Sequence, residues 1–411
     1  MESKLPITIP ELGPEEQKAA AEAIASGWIL QGPRVAAFEA AFSRMVGAPY
    51  ACAVSSGTAA LHLALLAVGT HPGDVVLTVS HSFIATANAV RACGAEPYFV
   101  DIDLATFNMA PGELRASLER DFEARDGGLW LREVDRLAVG GSPLVRAREP
   151  RGRLAAIMVA HQVGLPADLG AILPLARSYG VPVVEDAACA VGTEVSLDGG
   201  ATFENVGRPH GALACFSFHP RKVITTGEGG MITTADETRD EHCRLVRQHG
   251  MAADPALGFL VTGHNYRMTD IQAAIGLEQL KRLPGILAAR RRIAGAYLDR
   301  LAGVPGLRVP IVPVYARHNW QSFIVQLEEP ARQSAVMQSL LDEGVSTRTG
   351  VMCAHRELPY ADAWRRASLP NSELAQDAGI SLPIYPRMTE KDVERVVSAL
   401  SRALHRKDPA Q

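Results

Sequence analysis

The alternation of short apolar runs with segments of helical period is the feature that most constrains the fold of this chain. Runs such as Val75–Ser80 and Val181–Ala187 are mostly apolar on both faces, which is typical of buried, mainly parallel strands. Between the runs lie segments such as "GTAALHLALLAVGT", in which apolar residues recur at helical spacing. The pattern predicts a doubly wound α/β sheet with helices on both faces. The six runs that we interpret as strands are Val75–Ser80, Pro97–Ile102, Ala155–Ala160, Val181–Ala187, Ala214–Phe218 and Gly229–Thr234.

The pattern changes in the last part of the chain. From "TDIQAAIGLEQLKRL" onward the sequence becomes more helical. We predict a helix over Leu287–Leu301, a strand in "SFIVQLEE" and a further helix in "ARQSAVMQSLLDEG". This predicts a large domain over residues 1–254 and a small C-terminal α+β domain over residues 255–411. Residues 120–153 contain arginines and glycines without a clear period, and we interpret them as an insertion or a long loop.

The composition argues against several classes of protein. The 411 residues are 47% hydrophobic and 21% charged, with a formal net charge of -4, so no basic footprint for nucleic acid is present. No run reaches the roughly 18 apolar residues of a membrane-spanning helix, and the N-terminal sequence does not resemble a secretory signal. We expect a cytoplasmic protein with no nucleic-acid or membrane partner. We also expect no metal site, because no C-x-x-C pair occurs among the scattered cysteines Cys52, Cys93, Cys189, Cys215, Cys243 and Cys353.

A serine- and glycine-rich turn precedes the helix in "SSGTAALHLAL". It consists of Ser55, Ser56, Gly57 and Thr58. Free backbone N–H groups and the positive end of the helix dipole make such a position suitable for an anion. The same residues are also favoured as plain helix caps, and the turn alone does not decide between the two roles.

Two other segments carry side chains that are candidates for catalysis. Glu185 and Asp186 end the apolar run in "VVEDAACAVG", and ligands of open α/β sheets bind beside the carboxyl ends of strands. Lys222 lies in "CFSFHPRKVITTGEGGMITT", between a predicted strand and a glycine-rich turn. A lysine amine forms Schiff bases with carbonyl compounds. A phosphate site, an acid at a strand end and a lysine after a later strand are together what pyridoxal 5'-phosphate requires.

The sequence resembles the DegT/DnrJ/EryC1/StrS aminotransferases, which belong to the fold-type I pyridoxal-phosphate enzymes. The resemblance rests on motifs in the family's order, among them "SGWILQGPRVAAFEAAF", "SHSFIATANAV", "HQVGLPADL", "GHNYRMTDIQAAIGLEQL" and "ISLPIYPRMT". It implies a large domain with a mixed, mostly parallel seven-stranded sheet and a small C-terminal domain. It also implies a homodimer with active sites at the subunit interface.

The resemblance assigns the cofactor's attachment and its phosphate site. Lys222 matches the Schiff-base lysine, and Asp186 matches the acid that pairs with the pyridine nitrogen. The residues that match the phosphate binders are Gly57, Thr58 and Ser217.

The resemblance also implies contacts to the ring and the substrate. Phe83 matches the aromatic residue that stacks on the cofactor ring, and Ala188 matches the small residue on its other face. Asn265 matches an asparagine that reaches the phosphate from the partner subunit. His355 lies where the family tends to have a histidine near the sugar. Cys189 departs from the family, because a Gln or His commonly occupies this position and contacts the cofactor's ring oxygen.

Two further stretches differ from the family. "ILQG" replaces its usual threonine-rich sequence after "SGW", which affects the substrate contacts expected near residues 29–31. The loop "SLDGGATFENVGRPHG" and residues 120–153 are longer than expected. In the latter, we predict that one or two of the clustered arginines reach a substrate phosphate, although a solvated loop is the alternative. These arginines are Arg146, Arg148, Arg151 and Arg153.

The resemblance implies an aminotransferase that takes an amino group from L-glutamate and donates it to a keto-sugar, typically one linked to a nucleotide. A keto-cyclitol or a free keto-sugar fits the same residues. Some relatives are pyridoxamine-dependent sugar dehydratases, but these have a histidine in place of the lysine, and Lys222 argues against that activity. A non-catalytic regulatory protein on the same fold is a third alternative.

Overall fold

The computed structural model describes residues 4–365 and 367–406. Its strands are β1 (Tyr50–Val54), β2 (Val75–Val79), β3 (Glu96–Val100), β4 (Phe122–Arg125), β5 (Gly128–Leu131), β6 (Leu154–Ala160), β7 (Val183–Asp186), β8 (Glu194–Val195), β9 (Glu204–Asn205), β10 (Leu213–Ser217), β11 (Gly230–Thr234), β12 (Leu307–Arg308), β13 (Ala316–Arg317), β14 (Phe323–Leu327), β15 (Arg348–Thr349) and β16 (Gly379–Leu382). Its helices are α1 (Pro14–Ala25), α2 (Pro33–Val46), α3 (Gly57–Ala67), α4 (Ala85–Ala92), α5 (Pro111–Asp121), α6 (Leu169–Ser178), α7 (Glu237–Arg247), α8 (Asp270–Leu301), α9 (Gln333–Asp342), α10 (Leu358–Trp364), α11 (Pro370–Ala378) and α12 (Glu390–His405).

The central sheet has seven strands in the order β1-β11-β10-β7-β6-β2-β3. The five strands from β10 to β3 pair in parallel, whereas β11 runs antiparallel to both of its neighbours. This confirms the mixed, mostly parallel seven-stranded sheet that the resemblance implied. The pattern of apolar runs identified six of these strands and missed β1. That strand is "YACAV", which is short and alanine-rich and is recruited to the sheet edge by its pairing with β11.

Both faces of the sheet are covered, as the continuous apolar runs predicted. Neighbouring residues of one strand point to opposite faces. Val76 therefore belongs to the buried cluster that contains the leucines of α3, while Leu77 belongs to the cluster on the other face, which includes α2 residues such as Phe42. Strands buried on both sides need apolar residues at every position, which is why these runs do not alternate with polar residues.

A second sheet, β12-β14-β16-β15, is antiparallel and forms a separate core with α9 and α12. The 32-residue helix α8 joins the two cores. Leu283 and Ile286 near its middle pack in the core of the large sheet, and Ile293 and Tyr297 farther along pack in the second core. Leu5, near the N-terminus, also packs in the second core. The division between residues 254 and 255 stays a prediction.

The stretch 120–153 is more ordered than a loop. It contains the antiparallel hairpin β4–β5, and its Leu129, Leu137 and Leu144 side chains are buried in the main core. Short strands and widely spaced leucines carry little periodic signal, so the sequence pattern did not reveal them. Within the described ranges, no helix combines the length and apolar character needed to cross a bilayer.

Candidate active site

The predicted site residues gather along the carboxyl-terminal ends of the parallel strands of the central sheet. The parallel strands place their carboxyl ends on the same edge, which is where ligands of such sheets bind. Asp186 ends β7 and lies beside Cys215 of β10 and Ala160 of β6. Ser217 ends β10, and Phe83 follows the end of β2 by four residues. The strand order therefore brings together residues that lie far apart in the chain.

The start of α3 forms a cradle lined by backbone. Ser56 caps the helix, with its hydroxyl accepting a hydrogen bond from Ala59 N (3.1 Å). The N–H groups of Gly57 and Thr58 lie in the first turn, where no partner within the helix exists. A Cβ atom on Gly57 would lie only 2.7 Å from the Cβ of Ser217. The glycine thus allows helix and strand to approach closely, and the two predicted phosphate-binding segments meet.

Asp186 is held in a fixed orientation. Its side chain is buried, and its Oδ2 accepts a hydrogen bond from the Thr86 hydroxyl (2.7 Å), which is itself 2.7 Å from the Ser82 hydroxyl. Its Oδ1 accepts from the backbone N–H of Ala188 (3.1 Å). The carboxylate therefore has donors on both oxygens and cannot turn freely.

Glu185 is the neighbouring carboxylate that the sequence left as an alternative. Its side chain is fully buried, with Oε2 3.0 Å from His161 Nε2 and Oε1 accepting from Gly211 N (2.8 Å). Alternation along β7 directs it away from Asp186. Both of its oxygens bind within the protein, so Glu185 has a structural role.

Lys222 lies in the turn after β10, where its N–H bonds to His219 O (2.8 Å). Its Nζ is 3.0 Å from Cys189 Sγ. Cys189 stands three residues beyond Asp186 in the chain, so the amine contacts the segment that directly follows this carboxylate. The backbone of Cys189 is fixed by Asn319 Nδ2, which donates to the Cys189 carbonyl (2.8 Å).

The remaining predicted residues fall into two groups. Phe83 is 68% exposed and Asn265 is exposed, so both side chains are free to meet a ligand or a second subunit. His355 is instead buried, with Nδ1 2.6 Å from the Ser80 hydroxyl and Nε2 3.3 Å from the Glu373 carboxylate. Burial lowers the pKa of His355, although Glu373 opposes the shift. A contact between His355 and the substrate stays a prediction, and it requires the hydrogen bonds to Ser80 and Glu373 to break.

Residues 10–401 match the sequence model of the DegT/DnrJ/EryC1/StrS aminotransferase family. The chain belongs to this family.

Solved structures of similar enzymes agree with the family assignment. The aminotransferase TlmJ from Streptoalloteichus hindustanus is 32% identical, with a TM-score of 0.82 over 98% of this chain and 99% of that one. DesV from S. venezuelae, solved with a ketimine intermediate, is 30% identical, with a TM-score of 0.84 over 99% and 100%. DesI, solved with its TDP-sugar product, is 27% identical, with a TM-score of 0.81 over 98% and 94%. The chain is a fold-type I, pyridoxal-phosphate-dependent aminotransferase.

The site fits that cofactor on the chemistry of its own residues. The cradle at Gly57 leaves no room for a side chain and presents backbone N–H groups, as a phosphate requires. Asp186 supplies a buried acceptor for a pyridinium nitrogen, and Lys222 supplies an amine. Among residues 4–365 and 367–406, no group of His, Cys, Asp and Glu side chains is arranged to hold a metal ion.

The arginine-rich stretch of this aminotransferase lies at the amino-terminal ends of the parallel strands, opposite the site. Arg153 pairs with Asp74 (2.6 Å) beside the amino end of β2, and Arg151 pairs with Asp135 (2.6 Å). The sequence offered a substrate phosphate contact for one or two of the four arginines, with a solvated loop as the alternative. Arg151 and Arg153 do not reach the site of their own chain, because that site lies at the carboxyl ends of the strands. For Arg146 and Arg148 the contact stays a prediction. Arg146 and Arg148 are exposed near Arg151.

Sequence reasoning missed the residues that support the site. Thr86 stands three positions after Phe83, in the first turn of α4, and this spacing could have indicated it. Asn319 and Gln321 lie in "RHNWQSF", more than 95 residues beyond Lys222. No local pattern relates them to the cofactor, because their contacts depend on how the second core docks on the first.

Proposed function

We propose that this aminotransferase takes an amino group from L-glutamate and transfers it to the keto carbon of a nucleotide-linked sugar. The observation that carries the proposal is the placement of Lys222, Asp186 and the Gly57 cradle at one sheet edge. The choice of substrate is supported by DesI, which was solved with its TDP-sugar product. A keto-cyclitol and a free keto-sugar are the alternative acceptors.

In the proposed site, Gly57, Thr58 and Ser217 bind the cofactor's phosphate. Asp186 pairs with the pyridine nitrogen and keeps it charged, and the donors on both of its oxygens hold it in place. The exposed ring of Phe83 covers one face of the cofactor. Bound pyridoxal phosphate supplies an electron sink for the bonds that change at the substrate carbon.

Lys222 is proposed to act as the covalent anchor and as the general acid and base. Its Nζ, at the end of a flexible side chain, would accept a proton from the α-carbon of the amino donor. It would likewise give a proton to the sugar carbon that receives the amino group. A tethered amine is effective in this role because the reacting atoms stay within its reach. Lys222 also disfavours the dehydratase activity, which uses a histidine here.

We further propose a homodimer in which Asn265 completes the partner's phosphate site. The support is a set of exposed, large apolar side chains that a monomer would leave in water. Leu257, Phe259 and Leu260 are 64%, 70% and 57% exposed, and Trp28 is 57% exposed. Pairing of such surfaces between two copies would cover these side chains.

The decisive experiment follows the two halves of the reaction separately. Protein loaded with pyridoxamine phosphate is mixed with candidate keto-sugars while the absorbance of the pyridoxal form is recorded, and pyridoxal-loaded protein is mixed with L-glutamate. Borohydride reduction and peptide mapping should then find the cofactor on Lys222. Lys281→Ala is the matched control, since Lys281 is an exposed lysine paired with Glu278. Label on any other lysine would contradict the mechanism. If none of the nucleotide-linked keto-sugars in the test set restores the absorbance of the pyridoxal form, the proposed substrate class is contradicted.

A further inference from the structure

Cys189 differs from the other five cysteines of the enzyme. It is the one cysteine that is not buried. Burial raises the pKa of Cys52 to about 11 and the pKa values of Cys93 and Cys353 to about 12. It also raises the pKa values of the remaining two thiols, Cys215 and Cys243. Among the six free thiols, we therefore expect Cys189 to react first with a reagent from solution.

The contact between Cys189 and Lys222 is fixed from both sides. Asn319 donates to the carbonyls of Cys189 (2.8 Å) and Val191 (2.9 Å), which anchors the loop that carries the thiol. The Asn319 Oδ1 accepts from Gln321 N, and the Gln321 side chain donates to the carbonyl of Arg221 (3.0 Å), directly before Lys222. One three-residue segment thus positions both partners, and the short distance between Sγ and Nζ is a property of the fold.

We propose that Cys189 is a positioning residue that binds the amine of Lys222 through its sulfur. The contact fixes where the amine lies while it is not attached to the cofactor. The consequence for catalysis depends on the function proposed for Lys222, whereas the contact itself does not.

The test measures the thiol in cofactor-free, full-length protein, where no aminotransferase activity is needed. Iodoacetamide is added at pH 7, and carbamidomethylation of each cysteine is followed by peptide mass spectrometry. The thiolate attacks the methylene carbon and iodide leaves. We expect modification first at Cys189. We expect Lys222→Met to slow it about tenfold, because a neighbouring cation favours the reactive thiolate.

Matched variants separate this contact from a general effect of charge. Lys222→Arg restores a cation and should recover most of the rate. Arg221→Met removes the adjacent exposed cation and should leave the rate within about twofold. Lys222→Gln provides a second neutral replacement if Lys222→Met unfolds, which circular dichroism would reveal. Equal rates for wild type and Lys222→Met, or earlier modification of another cysteine, would overturn the proposal. Failure of the proposed aminotransferase reaction would leave these rates unchanged, so the two outcomes are distinguishable.

Discussion

Replacing Gly57 with alanine tests the proposed phosphate cradle most directly. The new Cβ would lie 2.7 Å from the Cβ of Ser217, whereas carbon atoms pack best at about 3.5–4.0 Å. Helix α3 and strand β10 must therefore separate by roughly 1 Å. An N–H group displaced by that amount loses most of its hydrogen bond to an anion, which is worth about 1.5–3 kcal/mol. We expect the dissociation constant of pyridoxal phosphate to rise about tenfold to a hundredfold.

The assay is a cofactor titration followed by absorbance, together with thermal unfolding of the cofactor-free protein. Overpacking should cost about 1–3 kcal/mol of stability, partly offset by up to about 1 kcal/mol from the better helix propensity of alanine. Gly112→Ala is the matched control, since Gly112 also lies in the first turn of a helix but has open space where its Cβ would be. That variant should gain slightly in stability and bind the cofactor normally.

A double variant separates steric strain from the loss of phosphate contacts. Gly57→Ala combined with Ser217→Gly removes the 2.7 Å contact and leaves a milder one of 3.3 Å to the Cα of residue 217, so part of the stability should recover. Cofactor affinity should remain low, because the proposed hydroxyl contact of Ser217 is lost as well. Gly57→Ala protein that binds pyridoxal phosphate within twofold of wild type would refute the reasoning and would place the phosphate elsewhere.

Three further outcomes are expected. Asp186→Asn should lower kcat, because a weaker electron sink raises the activation barrier by about 3 kcal/mol. Asp186→Glu should retain more activity, and steady-state kinetics of both variants test this. Mixing Asn265→Ala with Lys222→Ala subunits should restore some active sites if Asn265 acts across the interface, and no recovery after verified subunit exchange would count against it. Burial holds the pKa values of His62 and His81 at about 4 in the folded chain, below the usual value of about 6.5. The unfolded state therefore binds more protons below pH 6.5, and stability is lost as the pH falls. His81 alone should lower the free energy of unfolding by about 2 kcal/mol between pH 6.5 and pH 5. Urea titrations of wild type and His81→Asn should show a shallower pH dependence in the variant.

The sequence predicted the central sheet well because the signal for its strands is local. A strand buried on both faces needs a mostly apolar run, and β2 ("VVLTV") and β6 ("LAAIMVA") each have one. The same logic failed for β1, whose alanine-rich sequence becomes a strand only through its pairing with β11. It failed again for residues 120–153, where the hairpin β4–β5 is stabilised by leucines that reach a core formed elsewhere.

By itself, the sequence determined the fold class and the identity of Lys222, Asp186 and the Gly57 turn as the chemical candidates. Only the tertiary structure decided that Glu185 is tied up in structural hydrogen bonds and that the amine of Lys222 lies beside the thiol of Cys189. It also decided that the arginine-rich stretch lies at the amino-terminal ends of the parallel strands, away from the site. The physical reason is that residue type and local period set what a side chain can do, whereas strand order and docking of the two cores set what it meets.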